Sequence, residues 1–290
     1  TLKAKTLANI ASEQTITKGR NITKSVGGAS SLQGENININ ADDVINTASN
    51  IAADNLDITA NNINIATQQN TTNLKAGGGS NYSNSQSTEH QTSNINVDGN
   101  LNITANNINL QGTKVSANNA TIKSNNLNIV AVQDSKSVQM KSSSSGGFFG
   151  GSSSSTVNSQ KTNNKGSELD IANQLTIQNQ QTQIIASKVK AKTLEVQTDL
   201  LNLISQKELD YLQESSDSSG FLTRTIKDKG HQQETINEAI IQAQSVSVNG
   251  QALTIAGQSV ANALSTDNLN QQLLQTLSSQ SELTQQLKDA

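Results

Sequence analysis

The chain has 290 residues, room for two ordinary domains, yet only 32% are hydrophobic and 2% aromatic, too few for a conventional core of that size. A net charge of −3 without a basic block leaves nucleic-acid binding without support. No run approaches the ~18 apolar residues of a membrane-spanning helix, and the absence of cysteine and proline excludes disulfides and suits a chain whose amides nearly all donate to a ladder.

The opening LKAKTLANIA already alternates, with no signal peptide at Thr1, so the sequence reads as a piece that starts inside a pattern. A first polar excursion follows near 12–34, centred on Gly27-Gly28. From there a corner element recurs: Ala or Ser, two of Asn/Asp/Gln, then an apolar residue. It stands at Ala41-Asp42-Asp43-Val44, Ala53-Asp54-Asn55-Leu56, Ala60-Asn61-Asn62-Ile63 and Ala105-Asn106-Asn107-Ile108, then at Ala117-Asn118-Asn119-Ala120, Ser124-Asn125-Asn126-Leu127 and Ala172-Asn173-Gln174-Leu175. Apolar parity flips across the Asn-Asn pairs, from Leu101, Ile103 and Ala105 to Ile108 and Leu110. Strand side chains alternate faces, so a flip means that the chain has turned while keeping its apolar side inward. Asn and Asp tolerate the left-handed conformation expected at such a turn.

Asp42 and Asn61 are 19 residues apart, as are Asn106 and Asn125, with turn signals between them at Gly112-Thr113 and Asn118-Asn119. Sides of about six or seven residues, three to a turn, predict an all-β fold, a right-handed three-sided parallel β-helix. Asn61 then stacks on Asp42 and Asn125 on Asn106, as in an amide ladder. Asp42, Asn61, Asn106, Asn118, Asn125 and Asn173 are the expected structural corners. A longer repeat, NLDITANNIN at 55–64 and NLNITANNIN at 100–109, overlies the short one.

Further excursions near 67–96, 132–167 and 206–236 centre on Gly77-Gly78-Gly79, GGFFGG and Gly220, and read as projecting β-hairpins or loops. The β-helix with its excursions spans 1–258. Beyond it, Leu269, Leu273, Leu277, Leu283 and Leu287 recur at helical spacing after Asp267, predicting a helical cap or linker over 259–290.

All five aromatics fall in excursions: Tyr82, Phe148, Phe149, Tyr211 and Phe221. Phe148, Phe149 and Tyr82 are the candidate contacts for a partner or a membrane, whereas Tyr211 and Phe221 are expected to fold back on the coil or a neighbouring excursion. His90 and His231 stand alone in polar stretches and read as solvated; Asp98, Asp170 and Asp210 are isolated. The Asp42-Asp43 pair lacks the nonapeptide calcium pattern. The glycine triplet lacks the Lys-Ser/Thr of a phosphate loop. The two arginines, Arg20 and Arg224, lie in excursions, far from the clustered acidic and basic residues of a β-helical lyase. No catalytic, cofactor or metal site is therefore expected.

The rungs NLNITANNINLQGTKVSANNATIKSNNLNI resemble the haemagglutinin repeats of two-partner secreted exoproteins, the filamentous haemagglutinins and the CdiA-type contact-dependent growth-inhibition proteins. SKSVQMKSSSSGGFFGGSSSSTVNSQ resembles the Ser/Gly-Phe insertion of their later repeat region, and FLTRTIKDKGHQQETI with QQLLQTLSSQSELTQQLKDA resembles its end. The resemblance implies a secreted or cell-surface filament of a Gram-negative bacterium, exported through an outer-membrane transporter. A C-terminal toxin domain would lie beyond Ala290, and a target-cell receptor or outer membrane would be the partner. The alternative it leaves is an adhesin stalk for host cells or surfaces.

Overall fold

The computed structural model describes residues 1–146, 150–220 and 223–252, together with the short strand segments 254–255, 258–259 and 264–265. Its strands form a 17-stranded sheet that wraps into a coil, an 8-stranded sheet beside it, and one two-stranded pair.

The coil is a three-sided parallel β-helix. One complete turn, coil C, consists of Asn94–Val97, Asn100–Thr104 and Asn107–Gln111. The next, coil D, consists of Lys114–Ala117, Asn119–Lys123 and Asn126–Val130. Each strand pairs in parallel with its counterpart one turn on: Val115 with Ile95, Leu101 with Ala120, Ile108 with Leu127. Coils A (31–47) and B (50–66) precede them; coils E (168–185) and F (188–204) and the partial coil G from 240 follow, with a register shift in coil E between Ile171 and Gln174. Leu2–Ile10 lies ahead of coil A as part of an earlier turn.

Each side of a coil turns two residues inward. In coil C these are Ile95 and Val97, Leu101 and Ile103, Ile108 and Leu110, all buried. Their counterparts in neighbouring coils stack on them, so the core is one column of Ile, Leu, Val and Ala. Each fully buried aliphatic side chain contributes roughly 1.5–3 kcal/mol. A narrow column suffices because every coil closes its own section of core, which is how a chain so poor in apolar residues folds.

The Asn corners turn without positive φ. Positive φ outside glycine occurs only at Ala48, Ala186 and Asn249 among the described residues, so none of the predicted corner asparagines is left-handed. The bend comes from two consecutive amides converging on one carbonyl of the preceding coil. Asn106 and Asn107 both donate to the Asn61 carbonyl, at 3.0 and 3.1 Å, and Asn125 and Asn126 both donate to that of Asn106. The side-chain amides are left free to stack outside.

This arrangement marks two of the three corners. At the third the chain reads Ala48-Ser49, Gly112-Thr113 and Ala186-Ser187, with φ of 47°, 56° and 43° at the first residue of each pair. Every second turn opens at this corner into an antiparallel hairpin: Glu13–Lys18 with Asn21–Val26, Gln68–Gly78 with Asn81–Gln91, Val132–Ser145 with Ser152–Lys165, and Gln206–Ser219 with Arg224–Asn237. The 45-residue offset of the longer repeat is thus one 19-residue coil with a hairpin inserted, as the ladder bonds Asn102 to Asp57 (45 apart) and Asn126 to Asn107 (19 apart) show.

The expected helix over 259–290 lies outside the described residues, except for backbone at 259 and 264–265. There Leu264–Ser265 pairs antiparallel with Ile240 and Ile241, and Gln258–Ser259 pairs with Thr254–Ile255.

Candidate interaction surface

Alternation of the hairpins has a metric consequence. A hairpin in every second coil supplies two strands for every two coils, and both sheets share a strand spacing of roughly 4.8 Å. The hairpins therefore meet edge to edge. The second hairpin pairs with the first through Ile22–Asn73 and Lys24–Thr71, the third with the second through Val138–Ser85, and the fourth with the third through Ser159–Leu212. The excursions are one continuous antiparallel sheet of eight strands running beside the coil.

The hairpin strands lengthen along the chain, from 6 residues to 11 and then 14. At each step the turn asparagine of the shorter hairpin caps the strand that outruns it. Asn21 Oδ1 accepts from the Lys75 amide at 2.6 Å, and Asn81 Oδ1 accepts from the Ser143 amide.

Period-two alternation through this register defines two faces. One carries Leu74, Val138 and Leu212 in a row, with Ser85 and Ser159 between them, and Met140 beside Val157 in the next. The other carries rows of amide and hydroxyl side chains across successive strands: Asn73, Gln86, Ser137, Gln160 and Tyr211, then Asn84, Gln139, Asn158 and Gln213, with Lys75 at the start of the second row. Tyr82 lies half-buried on this second face, opposite Gly77 and Lys141. Tyr211, on the same face, donates its hydroxyl to Gln213 at 2.8 Å. Phe148, Phe149 and Phe221 lie outside the described residues.

Each seam between hairpins carries a polar lock. At the first, Glu13 accepts from Lys24 at 2.7 Å and from Gln68 of the next hairpin at 2.9 Å, and the Lys24 ammonium holds it below the usual carboxylate range. At the second, His90 is buried, which corrects its reading as a solvated side chain. Its ring Nδ1 lies 2.8 Å from Asp134 Oδ1, and its backbone amide donates to the same oxygen at 2.7 Å. The Lys165 ammonium donates to its carbonyl. At the third, Lys161 pairs with Asp210 at 3.0 Å, and Glu208 accepts from the Asn164 amide and from Asn237. Asp210 is held below its ordinary value by Lys161 first and by His231 second. Asp170, expected to be isolated, pairs with Lys190 one coil away at 3.2 Å. Apart from Glu13 and Lys24 within the first hairpin, these partners are 20 to 75 residues apart in sequence and meet only through the coil and hairpin register.

At the third corner a column of buried hydroxyls lines the hairpin roots: Ser49, Ser93, Thr113, Ser167 and Ser187. Ser93 Oγ donates to the Ala66 carbonyl at 2.6 Å; Ser167 Oγ donates to that of Val130 at 2.9 Å and accepts from the Thr113 amide at 3.1 Å. The four serines serve backbone groups at this corner, whereas the Thr113 hydroxyl has no hydrogen-bond partner among the described residues.

The corner residues singled out in the sequence stack on the outside. Asn61 Nδ2 reaches Asp42 at 3.4 Å, Asn106 reaches Asn61 at 3.4 Å and Asn125 reaches Asn106 at 3.5 Å; on another corner Asn173 reaches Asn118 at 2.7 Å. The neighbouring Asp43–Asn62–Asn107–Asn126 column is tighter, at 2.9, 3.0 and 2.9 Å. Among the described residues no three His, Asp or Glu side chains converge to hold a metal ion.

Residues 74–152 match the family model described as hemagglutinin repeat. The matched span runs from the second hairpin through coils C and D into the third hairpin, about one hairpin-to-hairpin period, and the match supports a filamentous haemagglutinin-type repeat region there. No curated protein and no solved structure matches the chain.

Proposed function

We propose that the chain is a non-catalytic shaft segment of a large secreted cell-surface exoprotein of the filamentous haemagglutinin and CdiA type, exported through an outer-membrane transporter. In this reading it serves as filament and in delivering a C-terminal toxin to target bacteria. The observation that carries the reading is the hairpin sheet. A coil alone is a chemically inert rod, whereas this one bears a second sheet along one corner, and Phe148 and Phe149 stand in the sequence between the two strands of its third hairpin. A stiff rod with a single decorated edge suits a long-range contact device. The hemagglutinin repeat match supports the exoprotein setting.

The test is a competition assay with the full-length protein and its transporter, comparing the native chain with a Phe148→Ser, Phe149→Ser variant. Loss of target-cell killing at unchanged surface display supports the proposal. Undiminished killing contradicts the delivery role. The amide and hydroxyl rows of the second face favour a second reading, an adhesin stalk: the purified segment would then bind host cells or glycans by itself, and absence of binding across both counts against that role.

A further inference from the structure

The 8-stranded sheet ends on Arg224–Asn237, the outer strand of the last hairpin. Residues 224–236 are all exposed, and nothing among the described residues pairs with the outer edge. Ile226 and Ile236 are the most exposed large aliphatics described, at 56% and 59%. They share a face, and their cross-strand neighbours are charged, Asp217 for Ile226 and Lys207 for Ile236, so neither has an apolar partner within its own sheet. A free edge of this length is a template for another strand.

The sequence of this edge is self-complementary in one register. Antiparallel pairing of two copies about a two-fold axis at His231 sets residue 231 opposite itself, and sets Ile226 of each copy opposite Ile236 of the other. Lys227 then faces Thr235 and Lys229 faces Gln233, so neither lysine meets a cation. The single like-charged pair is Asp228 with Glu234, and Glu234 is already engaged by Lys207 at 2.9 Å. A shift of the axis by one residue, which keeps the faces aligned, sets Ile226 against Glu234 or Glu238 and Ile236 against Arg224 or Asp228. Cross-strand aliphatic pairs are stabilising and mismatched ones are not.

We propose that Arg224–Asn237 is a homotypic docking edge, which joins the hairpin sheets of two copies into one sheet through an isologous two-fold contact centred on His231. The two isoleucine pairs select the register and flank its centre.

The chain has no cysteine, so disulfide trapping on the whole protein tests this directly. Under mild oxidation a His231→Cys chain is expected to cross-link to itself. An Ile226→Cys chain is expected to cross-link with an Ile236→Cys chain, and neither of these with its own kind. Sedimentation of the unmodified protein is expected to show dimer, and Ile226→Lys with Ile236→Lys to weaken the dimer tenfold or more at unchanged circular dichroism. The inference is overturned if the protein stays monomeric over the accessible concentration range, as when another part of the same chain covers the edge. It is equally overturned if cross-links form at other positions or if the lysine variant dimerises undiminished.

Discussion

Gly112 shows how tightly individual positions are specified at the corner from which the hairpins leave. Its φ is +56°, and an added Cβ would stand 2.7 Å from Val132 Cγ2 and 2.8 Å from Thr67 Cγ2, at the roots of two hairpins. Ala48 and Ala186 occupy equivalent positions and carry a Cβ at positive φ, so the difference lies in the hairpin roots. Gly112→Ala is therefore expected to destabilise by roughly 1–3 kcal/mol, read from the shift in the denaturant midpoint. Ser167 makes a second case, because its hydroxyl is buried and serves both a carbonyl and an amide. Ser167→Ala leaves the Thr113 amide without its partner and the Val130 carbonyl with the Gly112 amide alone, at an expected cost of roughly 1–3 kcal/mol by the same measurement. An unchanged midpoint for either variant contradicts the assignment. At this scale the sequence is partly legible. The stacking of Asn61 on Asp42 follows from spacing alone. The burial of His90 does not, because its partner Asp134 lies 44 residues away and arrives only through pairing between hairpins.

At the scale of the element, coil and hairpin rest on different forces. The coil holds a dry aliphatic column. The hairpin sheet instead carries exposed charged pairs: Glu13 with Lys24, Glu234 with Lys207 and Asp217 with Arg224 within hairpins, and Asp210 with Lys161 across the last seam. Each of these carboxyls is held below its ordinary value by its cationic partner. A depressed folded value contributes stability above the unfolded value, near pH 4, and that contribution is lost as pH falls through the folded value. Hairpin amides are accordingly expected to lose hydrogen-exchange protection below about pH 4 while coil amides keep theirs. Equal loss in both sheets contradicts this division. Period-two patterning made the rungs readable because each side turns two apolar residues inward. The hairpins gave only the Gly/Ser composition of their turns, since a sheet solvated on both faces carries no strong alternation.

For the molecule as a whole, the governing relation is numerical: two strands per hairpin and one hairpin per two coils keep the two sheets in step. The sequence contains both parts of this relation, the 19-residue coil and the 45-residue repeat, but the pairing of successive hairpins is a property of three dimensions. Removal of residues 132–166 joins Ala131 to Ser167, the same dipeptide that closes the corner at Ala48-Ser49 and Ala186-Ser187. The coil is expected to close and keep its exchange protection. The second and fourth hairpins, left three strand spacings or ~14 Å apart, lose protection along the edges facing the gap. Unfolding of the coil on excision contradicts the account. The continuous sheet itself is tested by the distance between its ends. Thr23 and Gln233 occupy one row, linked through Thr72, Ser87, Lys136, Lys161 and Asp210. With cysteines introduced at these two positions and spin-labelled, pulsed dipolar spectroscopy is expected to give one narrow distribution near six strand spacings, about 29 Å. A broad or multimodal distribution would mean that the hairpins project independently, and would contradict the central claim.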